Sequence, residues 1–511
     1  MLSKVYSAAL VGLDAQLVEV EVDLSAGLFN FLIVGLPDAA VKESKERVFS
    51  AIKNSGFVSP LKSRRRIIVN LAPANLKKEG PSYDLPIALA FLFSTGQMEA
   101  NELDQCLFIG ELSLEGILRP VKGILPVVLT AKEKGLKKVF LPFENANEAS
   151  LVKGIEIIPL RHLKDLSEYL KTGEIRFSVP KANNRKSGQQ ISPVDMAHIK
   201  GQEQAKRALE IAAAGAHNVL MRGPAGTGKT ILAQSFSSIL PPLKDDEILE
   251  ATKIFSIAGL LPLDQPVVEE RPFRSPHHTS SSVALVGGGP HLRPGEITLA
   301  HRGVLFLDEL PEFRRDVLEC LRQPLENGLI VVSRAKGSLV FPAKFILIGA
   351  MNPCPCGKLG DPKQECSCLP GQISKYQRKI SGPLLDRIDL HIEVPRLSYA
   401  KISSAKEAES SAIIKKRVEA ARKAQERRFE KEKNIATNSE MDIIQVKKYC
   451  SIDLAAQNLL KKATDQMNLS VRSYYRLLKI SRTIADLAGA PNIEVEHLAE
   501  AIQYRPKELE F

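Results

Sequence analysis

Three short segments carry residue types that could do chemistry together. Gly223-Pro224-Ala225-Gly226-Thr227-Gly228-Lys229-Thr230 matches G-x-x-x-x-G-K-[ST] at every position, after the apolar run Asn218-Val219-Leu220-Met221 and ahead of a helical pattern from Ile231 to Ile239. Glycines let successive backbone N–H groups converge on phosphate oxygens, and the helix N-terminus adds partial positive charge. In that arrangement Lys229 bridges the β- and γ-phosphates of ATP and the Thr230 hydroxyl ligates Mg²⁺. A glycine-rich turn that matches by chance is the alternative. The second segment, Val304-Leu305-Phe306-Leu307, reads as a strand buried on both faces and ends in Asp308-Glu309. Ligands of open α/β sheets bind at the carboxyl ends of strands, where Asp308 would hold Mg²⁺ and Glu309 would orient and deprotonate a water. The third, Phe345 to Met351, is another buried strand and delivers Asn352 to the same edge, where its amide could meet the γ-phosphate or the water. An asparagine before Pro353 is otherwise a common turn residue.

A fourth group is of another kind. Of seven cysteines, Cys354, Cys356, Cys366 and Cys368 crowd into one short segment. The two C-x-C pairs are separated by a Gly-, Lys- and Asp-rich loop able to gather four thiolates around a structural Zn²⁺. Buried free thiols are the bland reading.

These segments need elements to position them. With 511 residues the chain has room for about three domains, and its 44% hydrophobic content fills ordinary cores. Val18, Val20 and Val22 alternate with Glu19, Glu21 and Asp23 as in a half-exposed strand. Residues 28–35 and 66–72 are further strand candidates, and 39–54 and 84–95 look helical. We therefore expect an α/β multidomain protein: an α/β domain over 1–177, a linker at 178–196, a second α/β domain over 197–395 holding the chemistry, and a helical domain over 396–511. Within the last, the charged run Ser404–Lys433 offers an apolar stripe of Ile413, Ile414, Val418 and Ala421. The apolar stretch Ala8–Leu13 is too short for a secretory leader, and no run approaches the roughly 20 residues that span a bilayer, so a cytosolic protein without a membrane is expected. The formal net charge of +11 favours an acidic partner such as nucleic acid, or else a merely basic surface.

The motifs together resemble those of the magnesium-chelatase-like AAA+ ATPases, most closely the bacterial ComM (YifB) group. The resemblance runs through Gly201-Gln202, Ala205-Lys206-Arg207-Ala208-Leu209-Glu210, Arg271-Pro272-Phe273-Arg274-Ser275-Pro276-His277-His278 and Gly287-Gly288-Gly289. It continues in Pro294-Gly295-Glu296-Ile297, Asp308-Glu309-Leu310-Pro311-Glu312-Phe313, Met351-Asn352-Pro353-Cys354-Pro355-Cys356-Gly357 and Ser381-Gly382-Pro383-Leu384-Leu385-Asp386-Arg387-Ile388-Asp389. It implies an AAA+ core with a helix-2 insert at 271–297 and a pre-sensor-1 hairpin around Arg334-Ala335-Lys336-Gly337, followed by a helical lid. It also implies that Arg387 is an arginine finger reaching a neighbouring subunit's ATP, and that Arg472 is the sensor-2 arginine, with Arg476 one turn on as the residue most easily confused with it. An ion-pair role for Arg387 beside Asp386 and Asp389 is the alternative. Both inserts read as hairpins, and pore-lining hairpins in related rings make Arg274, His277, His278, Arg334 and Lys336 candidates for gripping a nucleic-acid backbone. Metal ligation by the His277-His278 pair is the less favoured reading.

The first domain resembles the Lon protease C-terminal domain, with Gly80-Pro81-Ser82 where Lon carries its nucleophile. Lon places a lysine base shortly after Pro-x-x-Gly, but here Pro120-Val121-Lys122-Gly123 leads into Ile124-Leu125-Pro126. A serine without a neighbouring base is a weak nucleophile, so a non-proteolytic scaffold is expected, one that could dock DNA through Lys62, Arg64, Arg65 and Arg66. The resemblance implies a hexameric DNA helicase that migrates branched DNA during uptake and recombination. Its alternative is the ATPase subunit of a metal chelatase acting on a tetrapyrrole.

Overall fold

The computed structural model describes residues 2–62, 65–99, 103–173, 194–262, 265–289, 293–334, 337–398, 408–432, 435–467 and 469–505. The expected linker therefore lies almost wholly outside the described residues, as do Arg64 and Lys336. The chain divides into two compact units, Met1–Gly188 with Asp245–Val268, and Gln189–Lys244 with Glu269–Phe511.

The first unit is built on a seven-stranded mixed sheet. In chain order its strands are β1 (Leu2–Val11), β2 (Asp14–Ala26), β3 (Asn30–Val34), β4 (Arg65–Ala72), β5 (Cys106–Phe108), β6 (Lys138–Pro142) and β7 (Glu156–Leu160), arranged in space as β3-β4-β2-β1-β5-β6-β7. β1 and β2 form an antiparallel hairpin in which Val11 faces Asp14 and Leu2 faces Asp23. The expected alternation is present: Val18, Val20 and Val22 are fully buried while Glu19, Glu21 and Asp23 reach outward. Helices α1 (Ala39–Asn54) and α2 (Asp84–Ser94) share one apolar core with those valines, and α3 (Ile124–Glu133) belongs to a second core with Leu107, Val139 and Leu141.

Residues 245–268 fall within the expected second α/β domain by sequence, yet they pack in the first unit. The helix Asp245–Ala258 lies against α3. Leu249 joins that helix's core, the Gly123 amide donates to the Ser256 carbonyl at 3.2 Å, and Lys253 meets Asp14. The Ser256 hydroxyl also donates to buried Glu148, whose carboxyl burial pushes up. An amphipathic pattern reveals that a face is apolar and is silent on which core it covers.

The second unit carries a wholly parallel five-stranded sheet. Its strands are β8 (Val219–Arg222), β9 (Phe273–Arg274), β10 (Val304–Leu307), β11 (Ile346–Met351) and β12 (Leu390–Glu393), in the spatial order β9-β10-β11-β8-β12. Every residue of β10 and β11 is buried, as continuous apolar runs predict for strands covered on both faces. Helices α4 (Glu203–Gly215) and α5 (Lys229–Ile239) cover this sheet, and α6 (Ser411–Phe429), α7 (Val471–Leu487) and α8 (Val495–Gln503) contribute to the same core through Ile414, Leu477, Ile484 and Leu498. On α6 the buried line is Ile414, Val418, Ala421, Gln425 and Phe429, whereas Ile413 is half exposed. One residue's rotation of about 100° takes Ile413 off the i, i+4, i+7 line.

The expected hairpin before β11 is present as an antiparallel pair, Leu329–Arg334 with Gly337–Pro342, anchored by buried Ile330 and Phe341. The 271–297 insert is less simple than a hairpin. It begins as β9 in the main sheet, continues into a short helix at Ser282–Val286, and closes with a two-residue ladder between Gly287–Gly288 and Arg293–Pro294. Among the described residues, no helix is long and apolar enough to cross a membrane.

Candidate functional site

Three neighbouring parallel strands deliver the site to one sheet edge. β8 runs into the glycine loop, β10 into Asp308-Glu309, and β11, between them, into Asn352. Gly226 and Gly228 hold φ of 75° and 89°, values that side-chain-bearing residues rarely adopt. Gly223 has another reason to be glycine, since a Cβ there would sit 2.1 Å from the Val394 carbonyl oxygen.

The side chains meet as the motif chemistry requires. Lys229 is buried, and its ammonium donates to the carbonyls of Gly223 at 2.8 Å and Pro224 at 2.9 Å and to Asn352 Oδ1 at 3.2 Å. Burial pushes this lysine below its ordinary pKa, while Asp308 and Glu309 pull the other way. The Thr230 hydroxyl donates to Asp308 Oδ2 at 2.8 Å. These residues fit Mg·ATP: a desolvated cation waits at the phosphate end of the loop, and a hydroxyl and carboxylate already converge where an oxygen-ligated divalent cation would sit.

Glu309 leaves β10 with a φ of 51°, and its Oε2 lies 3.5 Å from His278 Nδ1. His278 was expected on nucleic acid, and the structure puts it beside the expected base. Its neighbours are engaged too: His277 Nδ1 is 2.8 Å from Thr279 Oγ1, and Arg274 makes a two-pronged ion pair with Glu296 at 2.6 and 2.8 Å. The Arg334 side chain and Lys336 lie outside the described residues.

Arg387 and Arg472 are brought together by a residue that no motif contains. Both guanidinium groups hydrogen-bond Glu326, and Arg387 also donates to the Pro383 carbonyl at 2.7 Å. The hydrogen bond from Arg387, with the charges of Arg472 and Arg476 behind it, holds the Glu326 carboxyl below its usual range. Arg476 is separated from Arg472 by its surroundings. It is largely buried, with its Nε 3.3 Å from Asp389, which gives it a structural ion pair, whereas Arg472 is exposed.

The four cysteines do converge. Sγ separations are 3.4 Å for Cys354–Cys356, 3.6 Å for Cys356–Cys366 and 3.6 Å for Cys354–Cys366, and all four sulfurs lie within 4.8 Å of one another. Four thiolates at Zn–S bonds of about 2.3 Å have tetrahedral edges of about 3.8 Å, so the cluster could hold a structural metal with little adjustment. Backbone amides support the charge this needs: the Leu359 N–H donates to Cys354 Sγ at 3.4 Å, and the Lys358 amide leads the pull of the Cys356 thiol down to about 6.

In the first unit, Ser82 sits in the short turn Pro81–Tyr83, while Leu125 is fully buried with its amide donating to Glu148 at 2.9 Å. Lys122 runs alongside Gly259, whose added Cβ would come within 2.8 Å of the ammonium nitrogen. Lys62, Arg65 and Arg66 are exposed around the start of β4.

Three family models match the chain: magnesium chelatase, subunit ChlI, over 195–402; subunit ChlI of Mg-chelatase over 20–145; and the ChlI C-terminal model over 408–505. The Competence protein ComM of Haemophilus influenzae is 44% identical over 508 residues, covering 99% of this chain and 97% of that protein. This chain belongs to the magnesium-chelatase-like family, in its ComM/YifB group. The YifB protein of Escherichia coli is 42% identical over 505 residues, with 99% and 97% covered. Lon protease 2 of Bacillus subtilis is 30% identical over 127 residues, which is 24% of this chain and 22% of that one. Kinship with the magnesium-chelatase family points to ATPase activity, which the loop geometry at Lys229 and Thr230 suits.

Proposed function

We propose that this ComM/YifB-group protein is an ATP-driven DNA motor that works as a ring, a hexameric helicase promoting branch migration of incoming DNA. The observation that carries the reading is the division of the arginines from the phosphate loop. Lys229, Thr230, Asp308, Glu309 and Asn352 converge at the carboxyl edge of the sheet, while Arg387, whose carbonyl accepts from Asn218 at the opposite, amino end of β8, is held with Arg472 by Glu326. A site so divided is completed when a second copy supplies Arg387, and hydrolysis is then coupled to assembly. The name of the Haemophilus influenzae relative, a competence protein, supports DNA uptake as the setting.

Lys229 and the loop amides bind the phosphates, and Thr230 with Asp308 holds Mg²⁺. When bound, the ion screens phosphate charge. Glu309 accepts the proton of the attacking water, His278 orients that carboxylate, and Asn352 fixes the water or the γ-phosphate. Arg387 of a neighbour stabilises charge on the transferred group. Basic residues including Arg334 and Lys336 grip the DNA backbone, and the first unit serves as a non-proteolytic Lon-like scaffold. The four cysteines hold a structural Zn²⁺.

The test is ATP turnover measured alone and with single-stranded, forked and four-way DNA, followed by strand displacement on the most stimulating substrate. We expect stimulation and displacement, both weakening steeply with added salt. Turnover indifferent to every DNA, with no displacement, would overturn the motor. The ChlI matches favour a second reading, the ATPase subunit of a metal chelatase, which predicts that same indifference.

A further inference from the structure

We infer that the four-cysteine cluster braces the nucleotide loop, so that metal occupancy sets nucleotide affinity. The inference rests on the nucleotide and metal readings above. Its starting point is the shortness of the chain between the two sites. Asn352, whose Oδ1 accepts from Lys229, is two residues before Cys354. Gly357, immediately after Cys356, accepts a hydrogen bond at its carbonyl from the Ala225 amide in the centre of the phosphate loop, at 3.2 Å. A third tie joins the Gly223 amide to the Met351 carbonyl at 3.3 Å. The segment Met351–Gly357 thus touches the loop at three places, and its two cysteines belong to the sulfur cluster.

That segment has little slack. Pro353 and Pro355 fix their own φ, the Gly357 amide closes a turn onto the Cys354 carbonyl at 3.0 Å, and Gln377 pins the Pro353 carbonyl at 2.8 Å. Gly357 holds a φ of 75° and packs so closely that an added Cβ would lie 3.3 Å from the Ala225 Cβ. Four thiolates on one cation hold Cys354 and Cys356 where Asn352 and Gly357 meet the loop. Without the cation, nothing ties the four sulfurs to one point, the turn is free to open, and the Ala225 amide and the Lys229 ammonium each lose an acceptor. The metal acts on the nucleotide through these two contacts, as ligand-bearing segments commonly do through their neighbours.

The experiment uses the full chain. Zinc is quantified by elemental analysis, and the affinity for a fluorescent ADP analogue is measured as purified, after stripping with phenanthroline under reducing conditions, and after returning Zn²⁺, with Mg²⁺ constant throughout. We expect about one zinc per chain, a roughly tenfold loss of affinity on stripping, of the size of one charge-assisted hydrogen bond, and recovery on reloading. Gly357→Ala, which keeps all four sulfurs, should retain zinc and still bind the analogue about tenfold more weakly. Circular dichroism on each sample separates loss of the brace from unfolding. Unchanged affinity in both the stripped protein and the folded, zinc-replete variant overturns the brace and leaves the zinc site standing. A chain that neither contains nor takes up zinc overturns the brace together with the zinc reading. Failure of the zinc-replete protein to bind the analogue overturns the nucleotide site instead.

Discussion

Glu309 is an exposed carboxylate in a left-handed conformation, set at the end of a completely buried strand and 3.5 Å from a histidine. A non-glycine residue held at φ 51° carries backbone strain that the surroundings must sustain, and such strain gathers at reactive sites. Glu309→Gln keeps the shape and removes the proton acceptor. We expect unchanged binding of a fluorescent nucleotide and a fall in ATP turnover of about 10²- to 10⁴-fold, the usual worth of a general base. Turnover near normal would remove Glu309 from that role. The phosphate loop and Asp308-Glu309 were legible because each depends on a few consecutive residues and a flanking strand. Glu326 was not, because its two partners lie 61 and 146 residues away and its local sequence is that of an ordinary helix turn. His278 beside Glu309 escaped for the same reason, as a contact made across the fold.

The helix α4 ends on Ala216, which takes φ 57° and ψ 42° to donate its amide to the Ala212 carbonyl. This left-handed position is usually glycine, since a Cβ crowds the following carbonyl there. Ala216→Gly should therefore raise the stability of the second unit by about 0.5–1 kcal/mol, the gain trimmed by the lost methyl. A urea midpoint equal to or below that of the parent protein would refute this. Strands and helices with clean periodicity were readable to within a few residues: 39–54 is α1 as expected, and 28–35 shortens to Asn30–Val34. Segment 271–297 was harder because its glycines and prolines signal turns without saying what lies between them. It combines a sheet strand, a short helix and a small ladder.

Across the second unit, half-buried His391 and buried Asp389 make stability fall in acid. Burial first, then the charge of Arg505, pushes His391 down to about 4. Unfolded, it titrates near 6.5, so the unfolded chain takes up a proton that the folded one refuses. Stability is complete above that pH and declines as pH falls from about 6.5 to about 4, by about 2–3 kcal/mol. Burial alone would raise the Asp389 carboxyl, but Arg476, His217 and the Asn218 amide outweigh it and hold it low, which adds a second loss below the ordinary carboxylate range. A denaturation series from pH 8 to 4 should show the first decline, flattened in His391→Gln. Equal slopes in both proteins would exclude His391 as its source.

The placement of residues 245–268 has a consequence for how the molecule can be taken apart. The first unit is discontinuous: the polypeptide leaves it, builds α4, β8 and α5, and returns to finish it before going on to the rest of the sheet. A protease cut within 178–196 therefore severs the backbone without dismantling the first unit, because its larger piece stays packed on residues 245–268, which remain joined by two backbone crossings to the rest of the chain. A gene fragment stopped at residue 177 encodes an unfinished body, with the α3 face bare of Leu249 and Glu148 deprived of its Ser256 hydroxyl. The smallest separable piece is set by this interleaving of the chain, and the linker, which holds one of three crossings between the units, is not a seam by itself.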